Sequence, residues 1–210
     1  MFQGRTFHLQ TFLIGLLSVL FFSCSAQDVK TLAEKFRTAA DYQAIRADFI
    51  QTRSLKELDM QVEIKGEMIN ERNGRLRWHV KVPFQSITLI GLQTLEHYES
   101  GKTVAVGIRQ LPPGLAILRE CFSEWISGDP DRLSKRFELA AKDDHTLRLI
   151  PKETGLKEFF RSVEIRADAA FSAVECIRIE ESSGDLLEIR FRNVVKNPPL
   201  NEEIWKMPGK

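Results

Sequence analysis

From residue 67 to residue 90 the chain reads EMINERNGRLRWHVKVPFQSITLI, and apolar and polar positions alternate with the period of a strand. Leu76, Trp78 and Val80 share one face, and Arg75, Arg77 and His79 share the other, as expected of a half-buried antiparallel sheet. Asn73-Gly74, between two such runs, predicts a hairpin with a tight I′ turn, in which both central residues take positive φ. Pro83 interrupts the pattern, and Ile87 and Leu89 resume the apolar face beyond it.

The rest of the chain extends this picture. Val29, Leu32, Phe36, Ala39 and Ala40 recur at helical spacing among Lys30, Glu34, Lys35 and Arg37, predicting an amphipathic helix. Alternation over 45–55 places Ala47, Phe49, Gln51, Arg53 and Leu55 together, and a strand over 61–70 groups Val62, Ile64, Gly66 and Met68. Short strands over 94–98 and 102–108 flank a Ser100-Gly101 turn. Pro112-Pro113-Gly114 ends this half of the sheet, since proline cannot donate to a ladder.

A second helix follows, running from Pro113 to a stop at Gly128. Leu115, Leu118, Phe122, Trp125 and Ile126 lie on one stripe, widened by Ile117 and Cys121. Strands then return over 136–141, 146–150, 162–167, 172–180 and 186–193. About eleven short strands and two helices predict a mainly β fold, a strongly curved antiparallel sheet or barrel with helices packed across it. Such a barrel is either filled by its own side chains or holds one ligand.

The N-terminus changes the compartment. Arg5 and His8 precede an apolar run from Phe12 to Phe22, and Cys24-Ser25-Ala26 offers a small-residue cleavage site, so residues 1–26 read as an export signal and 27–210 as one domain. Lipidation of Cys24 is the competing reading, with ordinary cleavage favoured because Phe21 and Phe22 suit a lipidation motif poorly. The domain left after cleavage is neutral, which argues against a nucleic-acid partner and leaves an apolar or amphiphilic one open. In an oxidising compartment Cys121 and Cys176 form one disulfide or stand as two buried thiols.

Candidate chemistry is sparse. His79, His97 and His145 are isolated, with no HExxH or CxxC spacing for a metal and no G-x-S-x-G elbow for a nucleophile. Asp129, Asp131 and Asp143-Asp144 occupy turn positions, where aspartate ordinarily bonds its own backbone. No cofactor and no enzymatic activity are expected. Arg72, at the mouth of the hairpin, is on composition alone a solvent-exposed cation, but it is long enough to close over the rim of the sheet or to reach the carbonyls of a covering helix.

The order F-x-Q-T (Phe49 to Thr52), Gly66, NGRLRW (Asn73 to Trp78), Pro83 and N-P-P-L (Asn197 to Leu200) resembles the LolA family of periplasmic lipoprotein carriers, in a divergent branch. The resemblance implies an unclosed β-barrel under a helical lid. Its apolar cavity would take two or three acyl chains of a lipoprotein or other acylated lipid on the way from inner to outer membrane. It also implies an inner-membrane transporter and an outer-membrane acceptor as partners, and a monomer. Phe49, Leu76, Trp78, Ile87, Leu89, Leu115, Leu118, Phe122 and Trp125 would line the cavity. Arg72 matches a family arginine that ties down the lid, although Asn73 stands where the family commonly has proline. Two alternatives keep the fold: an acceptor anchored through Cys24, and an assembly factor that binds no lipid.

Overall fold

The computed structural model describes residues 25–110 and 113–208, and in the helix from Pro113 the side chains from Glu120 onward. The stretch through Cys24 that reads as an export signal, with the choice between cleavage and lipidation, lies outside the described residues, as do the side chains of Leu115 and Leu118.

Helix α1 (Ser25–Ala39) leads into β1 (Ala44–Leu55), β2 (Met60–Glu71), β3 (Leu76–Val82), β4 (Ser86–Ile90), β5 (Thr94–Glu99) and β6 (Lys102–Gly107). Helices α2 (Pro113–Ser127) and α3 (Pro130–Arg136) follow. The chain then runs through β7 (Phe137–Asp143), β8 (Thr146–Pro151), α4 (Thr154–Lys157), β9 (Phe160–Ala167), β10 (Val174–Glu181) and β11 (Leu186–Lys196). The strands form one eleven-stranded antiparallel sheet in the order β6-β5-β4-β3-β2-β1-β11-β10-β9-β8-β7, so the expected unclosed barrel is what the chain builds. Two meanders meet where β1 pairs with β11, Phe49 opposite Phe191 and Gln51 opposite Ile189.

Among the described residues four α-helices stand where periodicity gave two. Helix α3 is too short to show a stripe; Asp129 starts it, accepting from the backbone N–H of Asp131 and Arg132, with Pro130 in its first turn. Asp129 is thus a helix cap, and Asp131 is an ion partner of Arg37 at 2.9 Å.

The hairpin at Asn73-Gly74 forms, but with a different turn. Gly74 alone takes positive φ, at +96°, and its N–H bonds the Glu71 carbonyl, while the Glu71 N–H bonds the Arg75 carbonyl. This is the longer loop with a left-handed glycine after a type I turn, and Asn73 contributes through its side chain, accepting from the Arg75 N–H.

The two halves of the sheet are filled differently. Leu147, Leu149, Val163, Ile165 and Ile177 of β8 to β10 are fully buried in one cluster with Leu32, Phe36, Ile126 and Leu133 of the helices. Antiparallel pairing fixes the other half: Trp78 stands opposite Thr88 and Leu76 opposite Ile90, whereas Ile87 stands opposite His79 and Leu89 opposite Arg77. Ile87 and Leu89 therefore face away from Trp78, which corrects their expected place in the cavity wall. The five residues between Val80 and its partner Ser86 set that parity, and β4 has apolar residues on both faces, so alternation alone could not tell which was which. On the convex face a chain end unrecognised in the sequence covers them: Ile87 and Leu89 pack with Met207, Trp205 and Tyr98.

Candidate functional site

Between the open half of the sheet and the helices lies a cavity of about 500 Å³. Leu76, Trp78, Thr88, Ile90 and Leu95 form its sheet wall, Phe122 and Trp125 of α2 its helical wall, and Phe159, Phe160, Ile179 and Leu187 its far side. Polar groups gather at one end, where Gln51, Arg53 and Glu181 stand. Arg53 donates to Glu181 at 2.7 Å and lies 3.7 Å from Asp185, so the rim closes with paired charge.

The walls are built from aromatic rings in contact. Phe49 stacks on Trp78 with centroids 3.8 Å apart; Trp78 meets Phe122 edge-on at 5.3 Å; Phe122 meets Trp125 at 6.3 Å; Trp125 meets Phe160 at 5.3 Å. Edge-to-face rings keep their positions because the positive edge of one sits on the negative face of the next. Trp78 is half-buried, and Trp125 is fully buried behind it.

Leu76, Trp78, Phe122 and Trp125 are thus brought together as the sequence suggested. Phe49 is 1% exposed and backs Trp78 rather than lining the space. Ile87 and Leu89 lie on the opposite face. Thr88, Ile90 and Leu95 take their place, and the register β3–β4–β5, with Leu76 opposite Ile90 opposite Leu95, is what puts them there.

Two polar tethers fix the helices. Asn70, 1% exposed, donates to the Tyr42 hydroxyl at 3.3 Å and accepts from Ser123 of α2 at 3.2 Å. Burial pushes the Tyr42 phenol up to about 12, so it stays a neutral hydroxyl. Arg72 bonds the Ala40 carbonyl at the end of α1 at 3.3 Å and lies 3.8 Å from Asp129, the cap of α3. It therefore ties together α1 and α3, while Asn70 holds α2. Sequence reasoning passed over Asn70; a buried amide in an apolar strand face is its one signal.

On the convex face the cationic stripe is a clasp. Arg75 donates to Glu71 and Glu202 and stacks 4.6 Å over Trp205; Arg77 donates to the Ile204 carbonyl at 2.9 Å. The carboxylates of Glu202 and Glu71 push the Arg75 pKa up, and burial, followed by the Arg77 charge, pushes the His79 imidazole down.

Cys121 and Cys176 are free thiols, and burial raises the pKa of both, Cys121 to about 12. His97 shares a 2.9 Å hydrogen bond with Thr88, and His145 stacks on Phe171. Among the described residues no His, Cys, Asp and Glu cluster could hold a metal ion, and no helix is long and apolar enough to cross a membrane.

The fold is similar to that of an uncharacterized conserved protein from Thermus thermophilus, at 11% identity and a TM-score of 0.50 over 88% of this chain and 94% of that one. A LolA superfamily protein from Nitrosomonas europaea gives a TM-score of 0.48 at 10% identity over 85% and 97%. LprF from Mycobacterium bovis gives 0.44 at 13% over 83% and 95%. No curated protein sequence matches the chain. The family model described as outer membrane lipoprotein carrier protein LolA matches residues 40–208, from the end of α1 past the convex clasp, and the chain belongs to that family.

Proposed function

We propose that the protein is a periplasmic carrier that shields the acyl part of a lipoprotein or other acylated lipid between the inner and outer membranes. The observation that carries this reading is the cavity of about 500 Å³, walled by Trp78, Phe122 and other apolar side chains with polar groups at one end. An amphiphile needs that arrangement, with water excluded along its chain and access to water at its head. Each methylene taken from water contributes about 0.8 kcal/mol, so such a wall competes with a bilayer without any specific polar contact. Transport needs no reaction, and the protein acts without catalysis or cofactor. A transporter at the inner membrane and an acceptor at the outer membrane complete the path that membership of a lipoprotein-carrier family suggests.

Native mass spectrometry tests it. Protein exported in cells and purified without detergent should carry a discrete added mass that denaturation releases as an acylated molecule. A clean mass, unchanged after incubation with palmitoyl-lysophosphatidylcholine and with a tripalmitoyl lipopeptide, would favour an assembly factor with a filled interior.

A further inference from the structure

The charges at the polar end of the cavity are unevenly matched. Arg53 reaches across Leu187 of β11 to Glu181 of β10 at 2.7 Å, and Asp185 stands 3.7 Å from the same guanidinium. One cation therefore serves two carboxylates. The turn between β10 and β11 fixes both of them, because the Glu181 N–H bonds the Asp185 carbonyl and the Gly184 N–H bonds the Glu181 carbonyl. Asp185 is held again by the Lys56 backbone N–H at 3.0 Å, while the Lys56 side chain lies over Gly184 at the tip of the turn. Of the two carboxylates, Glu181 is the one that lines the cavity.

Gln51 lies two residues deeper along β1, about 7 Å from Arg53. It stands between Ile64 and Ile189 in the ladder, and among the described residues its side-chain amide has no hydrogen-bond partner. A half-buried amide in an apolar wall gains from a ligand that offers it an acceptor. From the apolar interior outward, a free amide is thus followed by a carboxylate that shares its cation.

That sharing decides which charge a ligand can bring. An anionic group that took Arg53 would leave Glu181 and Asp185 beside it with no cation, the costly half of breaking a partly buried pair. A cationic group that took Glu181 would leave Arg53 with Asp185. The exchange favours an ammonium over an anion.

Resting on the carrier reading, we infer that the polar end of the cavity recognises a head that bears an ammonium group, which pairs with Glu181, while the Gln51 amide donates to the carbonyl at which the acyl chain begins. The substrate class is an acylated amphiphile with an amine in its head, a phosphoethanolamine lipid for example, in preference to one whose head is purely anionic.

The test holds the acyl chain constant and varies the head. Palmitoyl-lysophosphatidylethanolamine, palmitoyl-lysophosphatidylglycerol and the hexadecyl ether analogue of the ethanolamine lipid, which lacks the carbonyl, are titrated against the purified full-length protein by displacement of a fluorescent fatty acid. The ethanolamine lipid should bind about fivefold tighter than the glycerol lipid at low salt, and the preference should shrink as salt rises. It should also bind about fivefold tighter than its ether analogue. Glu181→Gln should abolish the first preference and keep the second, and Gln51→Leu should do the reverse. Each readout is a ratio of two ligands on one variant, so a general loss of folded protein cancels. A glycerol head bound as tightly as the ethanolamine head, or ratios that neither substitution changes, overturns the inference and leaves the carrier reading standing. No binding by any acylated probe overturns both.

Discussion

The Phe49 ring and the Trp78 indole lie face to face, 3.8 Å between centroids and 21° from parallel, although β2 separates their strands. Gly66 makes this contact possible. It stands opposite Phe49 in the ladder, and a Cβ there would meet the Phe49 ring at 2.8 Å and the His79 carbonyl oxygen at 1.9 Å. With no side chain at 66, Phe49 leans across β2 and presses Trp78 into the cavity wall. Gly66→Ala should lower unfolding stability by about 1–3 kcal/mol, as overpacking does, in urea denaturation followed by tryptophan fluorescence. An unchanged midpoint would mean that this contact is looser than the geometry states.

Trp78→Ala removes the ring that faces the cavity while leaving Phe49 and the sheet ladder in place. Trp78 is half-buried, so the larger consequence falls on ligand. Affinity for palmitoyl-lysophosphatidylcholine should drop about tenfold, equivalent to about 1.4 kcal/mol, in a fluorescent fatty-acid displacement assay. Far-ultraviolet circular dichroism should stay native.

Removing residues 202–210 takes away Trp205 and Met207, which cover Ile87 and Leu89, and the Glu202 partner of Arg75. Re-exposing two buried aliphatic side chains costs about 3 kcal/mol or more. The truncated protein should melt several degrees lower and bind an apolar dye on its convex face. Ile87→Ser and Leu89→Ser in the shortened chain should remove the dye signal, while the same pair in the full chain should destabilise it.

Asn70 bridges Tyr42 and Ser123, joining the sheet to α2 through one buried amide. Asn70→Ala leaves two buried hydroxyls short of a partner, at about 1–3 kcal/mol, the cost of unsatisfied polar groups. Hydrogen exchange should quicken in α2 more than in β8 to β10. Equal protection in both regions would show that α2 is held by apolar packing alone.

Glu124 on α2 supplies a pH test. Burial raises its pKa above the ordinary 4.5, and its Oε2 has no hydrogen-bond partner among the described residues. A carboxyl whose folded pKa is raised binds more protons folded than unfolded between pH 4.5 and the raised value. Its contribution to stability is therefore lost as pH rises through that window. Glu124→Gln should raise Tm at pH 7, and the difference should vanish as pH falls to about 4.5, in calorimetric scans across that range. A constant difference at all pH values would assign the effect to packing.

Much of this was legible beforehand, for local reasons. Alternation of period two over Leu76 to Val80, helical spacing over Leu32 to Ala39, and the glycine after α2 each report a geometry set by neighbours in the chain. Gly128 does take φ +66° there, against Phe36 and Val174. Side chains that are apolar on one face only declare which face is buried. Phe122 and Trp125 were found for that reason, and Leu76 and Trp78 as well. Arg72 reaches the Ala40 carbonyl at the end of α1, where composition alone favoured solvent exposure, because where α1 ends is set by packing.

What failed shares a cause. In β4 both faces carry apolar side chains, so Ile87 and Leu89 could not be distinguished from Ile90 by pattern. The deciding quantity is the pairing of Val80 with Ser86, a contact between strands. The same holds for Asn73, where the dipeptide signals a hairpin but the ladder on either side selects the turn.

By itself the sequence determined the order of the strands and of the two long helices, the antiparallel class and the amphipathic faces, because each follows from backbone sterics and hydrophobic period within a few residues; the short helices α3 and α4 carry too few turns to show such a period. Tertiary structure decided which face of β4 lines the cavity, that the chain end closes the convex side, and that helices fill one half of the sheet while leaving about 500 Å³ free in the other. Those outcomes depend on strand register and on volumes contributed by residues far apart in the chain, and no local period carries that information.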